Sequence, residues 1–415
     1  MKKVRVSTVA ALAASGNKSE SNKDMNKYLL RVFSSIIFSL AVAVSILLVA
    51  SAQANAQCSE ITSGLRMPLG ITQSNLDNLL VSETGTPTLH SGRISIVDAS
   101  GNRRTLLDGL PSAINDVNEP SGPAGLFMRG RTLHVAIGIG DGIKAGPFPG
   151  AAVGNPNPSS PIFSSVLAIH FSASVEKTTS GFALTAADQS ALANGQKVTL
   201  SDASGKKLTI EMVANFSNFT PNPLPTFPPN VRGSNPFDLD VVDDQVYVTD
   251  GGQNIVRQVD IPTGTFTTLA AFAPIPNTTG VGGPVIEAVP TGIRYGNGQL
   301  LVTLFRGVPF PPVVSQVVAV DPVTGAQAPF ITGRKTAIDV LPIKDGDDTD
   351  YLVLQHASAG FFFFSPGQVL RFETPTDAPT LVAGCLTRPT SMVLDEKTGT
   401  LYVSEIGGRV VAITL

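Results

Sequence analysis

The chain has 415 residues, including 39 glycines and 31 prolines, and it contains no tryptophan. Seven of its 29 basic and two of its 32 acidic residues lie in positions 1–56, so the rest carries 22 basic and 30 acidic side chains, a net charge of about −8. The basic residues there are scattered singly, which argues against a nucleic-acid partner, because phosphate backbones are bound by clustered Lys and Arg.

Residues 1–56 have the layout of an export leader. A stretch of fifteen apolar residues and serines, 36–50, follows two basic residues and precedes a small-residue site. We predict cleavage after Ala56, with Ala52 as the alternative, and a start at Met25 would give a signal of ordinary length. A retained membrane anchor is the rival interpretation, but a span needs ~20 apolar residues. We therefore expect a periplasmic or secreted protein without a membrane span after cleavage.

From residue 57 onwards the sequence repeats a unit of four short strands. The clearest copy begins Asn235-Pro-Phe-Asp-Leu-Asp-Val-Val and continues with Gln245-Val-Tyr-Val-Thr-Asp. The first strands of the six copies begin near Met67, Gly125, Asn235, Val289, Thr336 and Arg388. Short runs of Val, Ile, Leu, Tyr and Thr between Gly, Pro, Asn and Asp turns are typical of all-β folds. We predict one six-bladed β-propeller over residues 57–415.

Two features refine this prediction. The second copy is the weakest, and it carries an insertion with a short helix near 186–193. The last copy stops one strand early, at Arg409–Leu415, whereas Ser59–Leu65 resembles the missing strand. A strand given by one terminus to the other removes the sheet edge of an open array. The N-terminal strand is therefore expected to close the ring.

Cys58 and Cys385 are the two cysteines of the chain. Export favours a disulfide between them. The repeat alignment argues against it, since it equates Cys385 with Leu65, seven residues from Cys58 and over ~20 Å along a strand. The sequence leaves both outcomes open.

The phrases Asn235–Asp260, Val289-Pro-Thr-Gly-Ile and Gly307-Val-Pro-Phe-Pro-Pro resemble the ScyD/ScyE family of exported NHL-like propellers. The resemblance covers essentially the whole chain after the leader. It implies an NHL-type propeller outside the cytoplasm. The family takes its name from gene clusters for scytonemin, an indole-phenol pigment, so the resemblance also implies an aromatic small molecule as ligand or substrate.

Acidic side chains supply the candidate polar sites. Glu83, Asp250 and Glu405 fall at the ends of second strands, where carboxylates from different blades could converge on Ca²⁺ or cap turns by accepting backbone amides. Asp238 and Asp339 lie within first strands, so we expect them to face the channel and to have a partner there. His356, after the second strand of the fifth copy, is either a general base or a structural histidine.

Loops rich in Pro and Phe are expected on one face of the ring. They contain Phe148, Phe310, Phe361 and Phe363, which either receive an aromatic ligand or cap the blade edges. Two functions follow. One is an enzyme that uses Asp238, Asp339, His356 or Glu405 on an aromatic substrate. The other is a non-catalytic propeller that binds a ligand or an exported protein, and fold alone does not choose between them.

Overall fold

The computed structural model describes residues 58–346 and 348–415, so the predicted leader lies outside the described residues. Six sheets of four or five strands carry the fold, and their pairings are antiparallel except for that of the outermost strand of blade 1, which is parallel. Their innermost strands contact one another in a closed cycle, each touching the first strand of the next sheet and the last touching the first. The prediction of an all-β, six-bladed propeller is confirmed.

The strands of each blade are given from the channel outwards. Blade 1 contains β2 (Pro68–Gln73), β3 (Leu79–Glu83), β4 (Gly92–Val97), β5 (Arg103–Leu110) and β13 (Phe182–Ala183). Blade 2 contains β8 (Pro123–Arg129), β9 (Thr132–Ile137), β12 (Ser165–Phe171), β15 (Lys207–Asn215) and β14 (Val198–Ser201). Blade 3 contains β18 (Pro236–Val242), β19 (Gln245–Asp250), β20 (Ile255–Asp260) and β21 (Phe266–Ala271).

The second half of the ring has the same order. Blade 4 contains β24 (Pro290–Gly296), β25 (Gln299–Leu304), β26 (Ser315–Val320) and β27 (Gln327–Arg334). Blade 5 contains β28 (Ala337–Asp345), β29 (Asp348–Gln355), β30 (Gly367–Phe372) and β31 (Thr380–Leu386). Blade 6 contains β32 (Pro389–Asp395), β33 (Thr400–Glu405), β34 (Arg409–Thr414) and β1 (Ser59–Thr62).

Short elements decorate this ring. Four two-stranded hairpins occupy the loops: β6 (Ala113–Ile114) with β7 (Pro120–Ser121), β10 (Ile143–Ala145) with β11 (Ala152–Gly154), β16 (Phe219–Pro221) with β17 (Val231–Gly233), and β22 (Ile275–Pro276) with β23 (Val285–Ile286). The blade 2 insertion holds α1 (Ala173–Thr178) and α2 (Ala186–Ala193). A capping box of Thr185 and Asp188 starts α2, which confirms the helix expected there. Of the helices described, none is long and apolar enough to cross a membrane.

The apolar core consists of layers between blades. Leu239 and Val241 of blade 3, for example, are buried with Ala136 and Val166 of blade 2. Comparable clusters fill each of the other five junctions, including the one between blades 6 and 1. Burial of apolar surface in these clusters stabilises the folded state by roughly 25 cal/mol per Å². Each blade therefore depends on both neighbours for its stability.

Side-chain hydroxyls tie neighbouring blades together near the channel. Thr249 of blade 3 donates to the carbonyl of Thr291 in blade 4 at 2.5 Å, and Thr303 of blade 4 donates to the carbonyl of Ile338 in blade 5 at 3.2 Å. Ser82 makes the same bond from blade 1 to blade 2. Each bond satisfies an inner-strand carbonyl that would otherwise be buried without a donor.

The ring closes as the sequence predicts. β1 pairs antiparallel with β34, with Ser59 opposite Ala412 and Glu60 opposite Val411. Near the channel, the Thr390 hydroxyl of blade 6 donates to the carbonyl of Pro68 in blade 1 at 3.0 Å. The last blade thus combines the first strand of the ring with the last three.

Cys58 and Cys385 form a disulfide, with their Cα atoms 6.3 Å apart. The bond joins the chain just before β1, on the edge of blade 6, to β31, the outer strand of blade 5. The distance argument from the repeat alignment is therefore wrong. It placed Cys385 beyond the fourth strand of blade 5, as Leu65 lies beyond β1, whereas Cys385 lies within β31.

Loss of the disulfide should loosen ring closure. We expect the double variant Cys58→Ser, Cys385→Ser to be less stable by about 2 to 5 kcal/mol, because the bond closes a loop of 327 residues in the unfolded chain. Thermal unfolding followed by circular dichroism measures this. Reductant should lower the melting temperature of the wild type and leave the double variant unchanged; equal melting temperatures would contradict the prediction.

Candidate functional site

The inner strands begin with a shared backbone irregularity around one opening of the channel. Each has a register shift in its first residues, directly after Pro in five blades and after Ala337 in blade 5. Met67, Val289, Thr336 and Arg388, which precede four of these strands, have positive φ angles of 53°, 50°, 41° and 50°. Such angles are unfavourable for residues other than glycine and concentrate at functional sites.

A cavity of about 410 Å³ lies at this opening, and we call it the mouth cavity. All six blades contribute to its lining. The lining residues include Met67, Leu69, Ser121, Ala124, Pro236, Phe237, Phe305, Phe310, Ile338, His356, Phe363, Arg388, Thr390 and Ile406. A second cavity of about 520 Å³ adjoins it and shares Phe237, Phe305 and Ile338. The mouth is thus concave, mostly apolar and within the usual size range for small-molecule sites.

Three phenylalanines and a histidine form the wall of the mouth cavity on the side of blades 4 and 5. The ring centroids of Phe310 and Phe363 lie 4.4 Å apart, and Phe305 lies 5.7 Å from Phe310 and 6.0 Å from Phe363. His356 stands edge-on to Phe363 at 4.8 Å. We call these four side chains the aromatic wall. It presents flat apolar surface together with one polar ring.

His356 is buried and has a hydrogen-bond partner at each ring nitrogen. Its Nδ1 lies 2.9 Å from the carbonyl oxygen of Pro389, and Nε2 accepts from Nε of Arg388 at 3.2 Å. Burial is the main cause that lowers the pKa of His356 to about 4. The hydrogen bond to Pro389 acts in the opposite direction, and the positive charges of Arg388 and Lys335 lower the pKa further. The neutral ring thus donates to Pro389 and holds Arg388. Its lone pair is occupied, which opposes the general-base interpretation.

The structure brings together two of the four predicted phenylalanines, Phe310 and Phe363. Phe148 instead stacks edge-on with Phe227 at 6.0 Å, and Phe361 is 44% exposed. Neither Phe148 nor Phe361 lines the mouth cavity. The Pro- and Phe-rich loops therefore do not form one common cover.

The three second-strand acids each bond within their own blade. Glu83 accepts the backbone amide of Arg66 at 2.7 Å, Asp250 accepts that of Asn235 at 2.7 Å, and Glu405 accepts that of Thr387 at 2.6 Å. Third-strand side chains donate to the same carboxylates, from Ser95, Arg257 and Arg409 respectively. These acids hold the start of the inner strand against the rest of the blade.

The predicted convergence of Glu83, Asp250 and Glu405 on a metal does not occur. No group of three or more His, Cys, Asp or Glu side chains in residues 58–346 and 348–415 could hold a metal ion. The reason is geometric, since each carboxylate turns back toward its own strand start rather than toward the channel axis. The turn-capping alternative describes the three acids.

Asp238 and Asp339 share one partner, Arg294. Its guanidinium lies 2.5 Å from Asp238 and 3.1 Å from Asp339 and so links blades 3, 4 and 5. Asp238 also accepts the backbone amide of Ile293, and Asp339 that of Met392. Gly125 and Gly292 make room for the two acids, because a Cβ at either would lie under 3 Å from the Cα of Asp238 or Asp339.

Burial dominates the protonation of this channel group. It raises the pKa of Asp238, and that of Asp339 to about 6, although the charge of Arg294 works to lower both. Burial also works to lower the pKa of Arg294, but the three nearby aspartates outweigh it and raise that pKa. Asp240, two residues along β18 from Asp238, has its pKa raised by burial to about 6. Beneath the mouth cavity, Arg294, Asp238 and Asp339 thus form a buried network of paired charges, which we call the floor.

Sequence reasoning missed Phe237, Phe305, Arg388 and Arg294. Arg388 occupies the same place before an inner-strand Pro as Met67 and Val289, and Phe305 directly follows a second strand, as His356 does. That positional equivalence was the available signal. Arg294 gave none, since its partners lie in other blades.

The described residues were compared with known proteins. No family model and no curated protein matches the chain. Among solved structures, a gluconolactonase from Xanthomonas campestris covers 86% of this chain and 89% of its own at 10% identity and a TM-score of 0.46. A virginiamycin B lyase from Staphylococcus aureus covers 86% of this chain and 98% of its own at 15% identity and a TM-score of 0.40. A pyranose dehydrogenase PQQ domain from Coprinopsis cinerea covers 86% of this chain and 95% of its own at 13% identity and a TM-score of 0.42. These are likenesses of fold.

Asp240 should make stability depend on pH. Its carboxylate accepts the amides of Val241 and Tyr295, both at 2.6 Å, and burial raises the pKa of Asp240 in the folded state to about 6, above the ordinary value of an aspartate. Since the folded state holds the proton more tightly, this stabilisation is complete below pH ~4 and is lost as pH rises through ~6.

Asp240→Asn should therefore gain stability relative to the wild type between pH 4 and pH 7, by about 2 to 3 kcal/mol. Urea unfolding across this range measures the difference. Asp244→Asn, at an exposed position of the following turn, is the control and should show no such trend. A pH-independent difference for Asp240→Asn would refute the assignment.

Proposed function

We propose that the mouth cavity binds an aromatic small molecule. The observation that supports this most directly is the pair of Phe310 and Phe363, whose rings are tilted by 37° with centroids 4.4 Å apart, in a cavity of about 410 Å³. Aromatic surface left open to a cavity offers offset-stacked or edge-on contact with a ligand ring, worth about 0.5 to 1.5 kcal/mol beyond its area. Polar groups at Arg388 and Ser121 give such a ligand an orientation.

An indole-phenol of the scytonemin type is the ligand that the sequence resemblance to the ScyD/ScyE family suggests. The proposed setting is the periplasm or the cell exterior, after removal of the leader. Support comes from the leader pattern of residues 1–56 and from the disulfide between Cys58 and Cys385, since disulfides persist in oxidising compartments.

Binding is favoured over catalysis because the candidate catalytic groups already have partners. Asp238 and Asp339 are bonded to Arg294, Glu405 to Arg409, and the lone pair of His356 to Arg388. A general base needs a free lone pair within reach of the ligand. The proposal is therefore a ligand-binding propeller.

A protein partner is the second candidate, and exposed apolar loops on blades 4 and 5 support it. Phe364 is 90% exposed and Val313 70% exposed, and Phe361 and Phe362 are also exposed. Apolar side chains clustered at a surface mark interaction sites. In this version the loops around the mouth contact an exported protein.

Phe363 and Phe364 provide a matched test of ligand binding. We expect Phe363→Leu to weaken binding of the indole-phenol precursor of scytonemin about three- to tenfold, because one stacking face is lost. Phe364→Leu, outside the cavity, should bind as the wild type does. The protein has no tryptophan, so indole fluorescence during titration reports the ligand alone. Equal affinities of the two variants would contradict the proposal.

Incubation of the purified protein with the same precursor in air tests catalysis. Mass spectrometry should recover the precursor unchanged, as from a boiled control, because the buried acids and His356 have partners. A new product that disappears in Asp339→Asn or His356→Gln, with folding intact, would establish an enzyme instead.

A further inference from the structure

We infer that the ligand of the mouth cavity carries a carboxylate and that Arg388 pairs with it. This inference rests on the proposed function and specifies the class of ligand, an aromatic acid. It arises from the surroundings of the Arg388 guanidinium.

Arg388 is held in place but not neutralised. Its Nε donates to Nε2 of His356, and its guanidinium carbon lies 5.2 Å from the centroid of the Phe363 ring. Its Nη1 and Nη2 make no hydrogen bond to any residue that the structure describes, and no described carboxylate lies at ion-pair distance. Because Arg388 lines the mouth cavity, two parallel donors remain for a ligand there. A planar carboxylate matches such a pair of donors.

The other arginines near the mouth contrast with Arg388. Arg232, in the adjoining cavity, pairs with Glu287 at 2.8 Å, and Arg409 pairs with Glu405 at 2.5 Å. Arg294 serves two aspartates in the floor. Of the two arginines that line the mouth cavity and the adjoining one, Arg388 is therefore the one without a carboxylate partner in residues 58–346 and 348–415.

The local potential is positive on this side of the cavity. Lys335 is buried beside the wall, with Nζ 6.0 Å from the Phe363 ring and bonded to the carbonyl of Phe362. Glu405 of the same blade as Arg388 is committed to Arg409 and to the amide of Thr387. Glu119, which also lines the cavity, is exposed. The attraction between Arg388 and an anion in the apolar pocket is therefore stronger than the same attraction would be in water.

Geometry limits the distance between the ring and the acid of the ligand. A ring that packs on Phe310 or Phe363 lies beside the guanidinium that covers Phe363, so the carboxylate must be only a few bonds from the ring. One fork of donors suits a single negative charge, and Lys335 does not line the mouth cavity, so it adds no second cation there for a phosphate dianion. The class is an arylalkanoic acid.

The test compares an acid with its neutral analogue. Indole-3-acetate and indole-3-acetamide are titrated against the full protein by fluorescence, which the absence of tryptophan makes specific for the ligand. We expect the wild type to bind the acid about tenfold or more tightly than the amide, the effect of one charge-assisted hydrogen-bonded pair. Added salt should weaken binding of the acid and leave the amide unaffected.

Arg388→Gln should remove the preference for the acid, so that the acid and the amide bind the variant with similar affinities. Arg334→Gln is the matched control. Arg334, at the end of the outer strand β27, also covers a phenylalanine ring, that of Phe372, but it does not line the mouth cavity. It should keep the full preference.

The outcomes separate the two proposals. If the wild type binds acid and amide equally, or if Arg388→Gln retains the preference, the carboxylate inference is overturned and the aromatic site stands. If neither compound binds, the proposed function fails for indole ligands and the inference fails with it. The wild-type comparison needs no variant, so it decides the question even if Arg388→Gln does not fold.

Discussion

Each blade of this protein can bury its two faces only against the blades on either side, and the rest of the structure depends on that constraint. The apolar clusters lie at the six junctions rather than at a common centre. A ring satisfies all six junctions at once, whereas an open array would leave two apolar faces in water. The strand β1, the disulfide of Cys58 and Cys385 and the bond from Thr390 to Pro68 all act at the junctions next to blade 6.

Closure also determines what lies at the mouth. Six inner strands start around one opening, so residues as distant in sequence as Met67 and Arg388 line the same cavity. The acids at the second-strand ends secure these starts, and the network of Arg294 with Asp238 and Asp339 fills the channel below. Buried charges need such partners, and breaking one pair leaves an uncompensated charge. The mouth therefore combines a rigid floor with one arginine whose charge is unpaired.

Local patterns in the sequence predicted the blades well. Strand alternation and turn residues are short-range signals, which is why the six copies, the closing strand and the helix Ala186–Ala193 were all found. The positions of side chains on long loops were harder to predict, because Phe310 and Phe148 lie in similar Pro-Phe-Pro sequences but have different surroundings in the structure. Partners from other blades were hardest: Arg294 is more than forty residues from both of its aspartates, and no local signal connects them.

The position of β1 in the chain has a consequence for folding. This strand precedes every other strand of the ring, yet its partner β34 is the last one. A chain that emerges from N- to C-terminus can pair neighbouring blades as it appears, but the first junction must stay open until residues 409–414 are available. Contacts between residues so far apart in the sequence form slowly, because the chain loses the entropy of closing the loop before the contacts stabilise it. Until then β1 and the open faces of blades 1 and 6 are exposed, and they are the surfaces on which a chaperone would be expected to act.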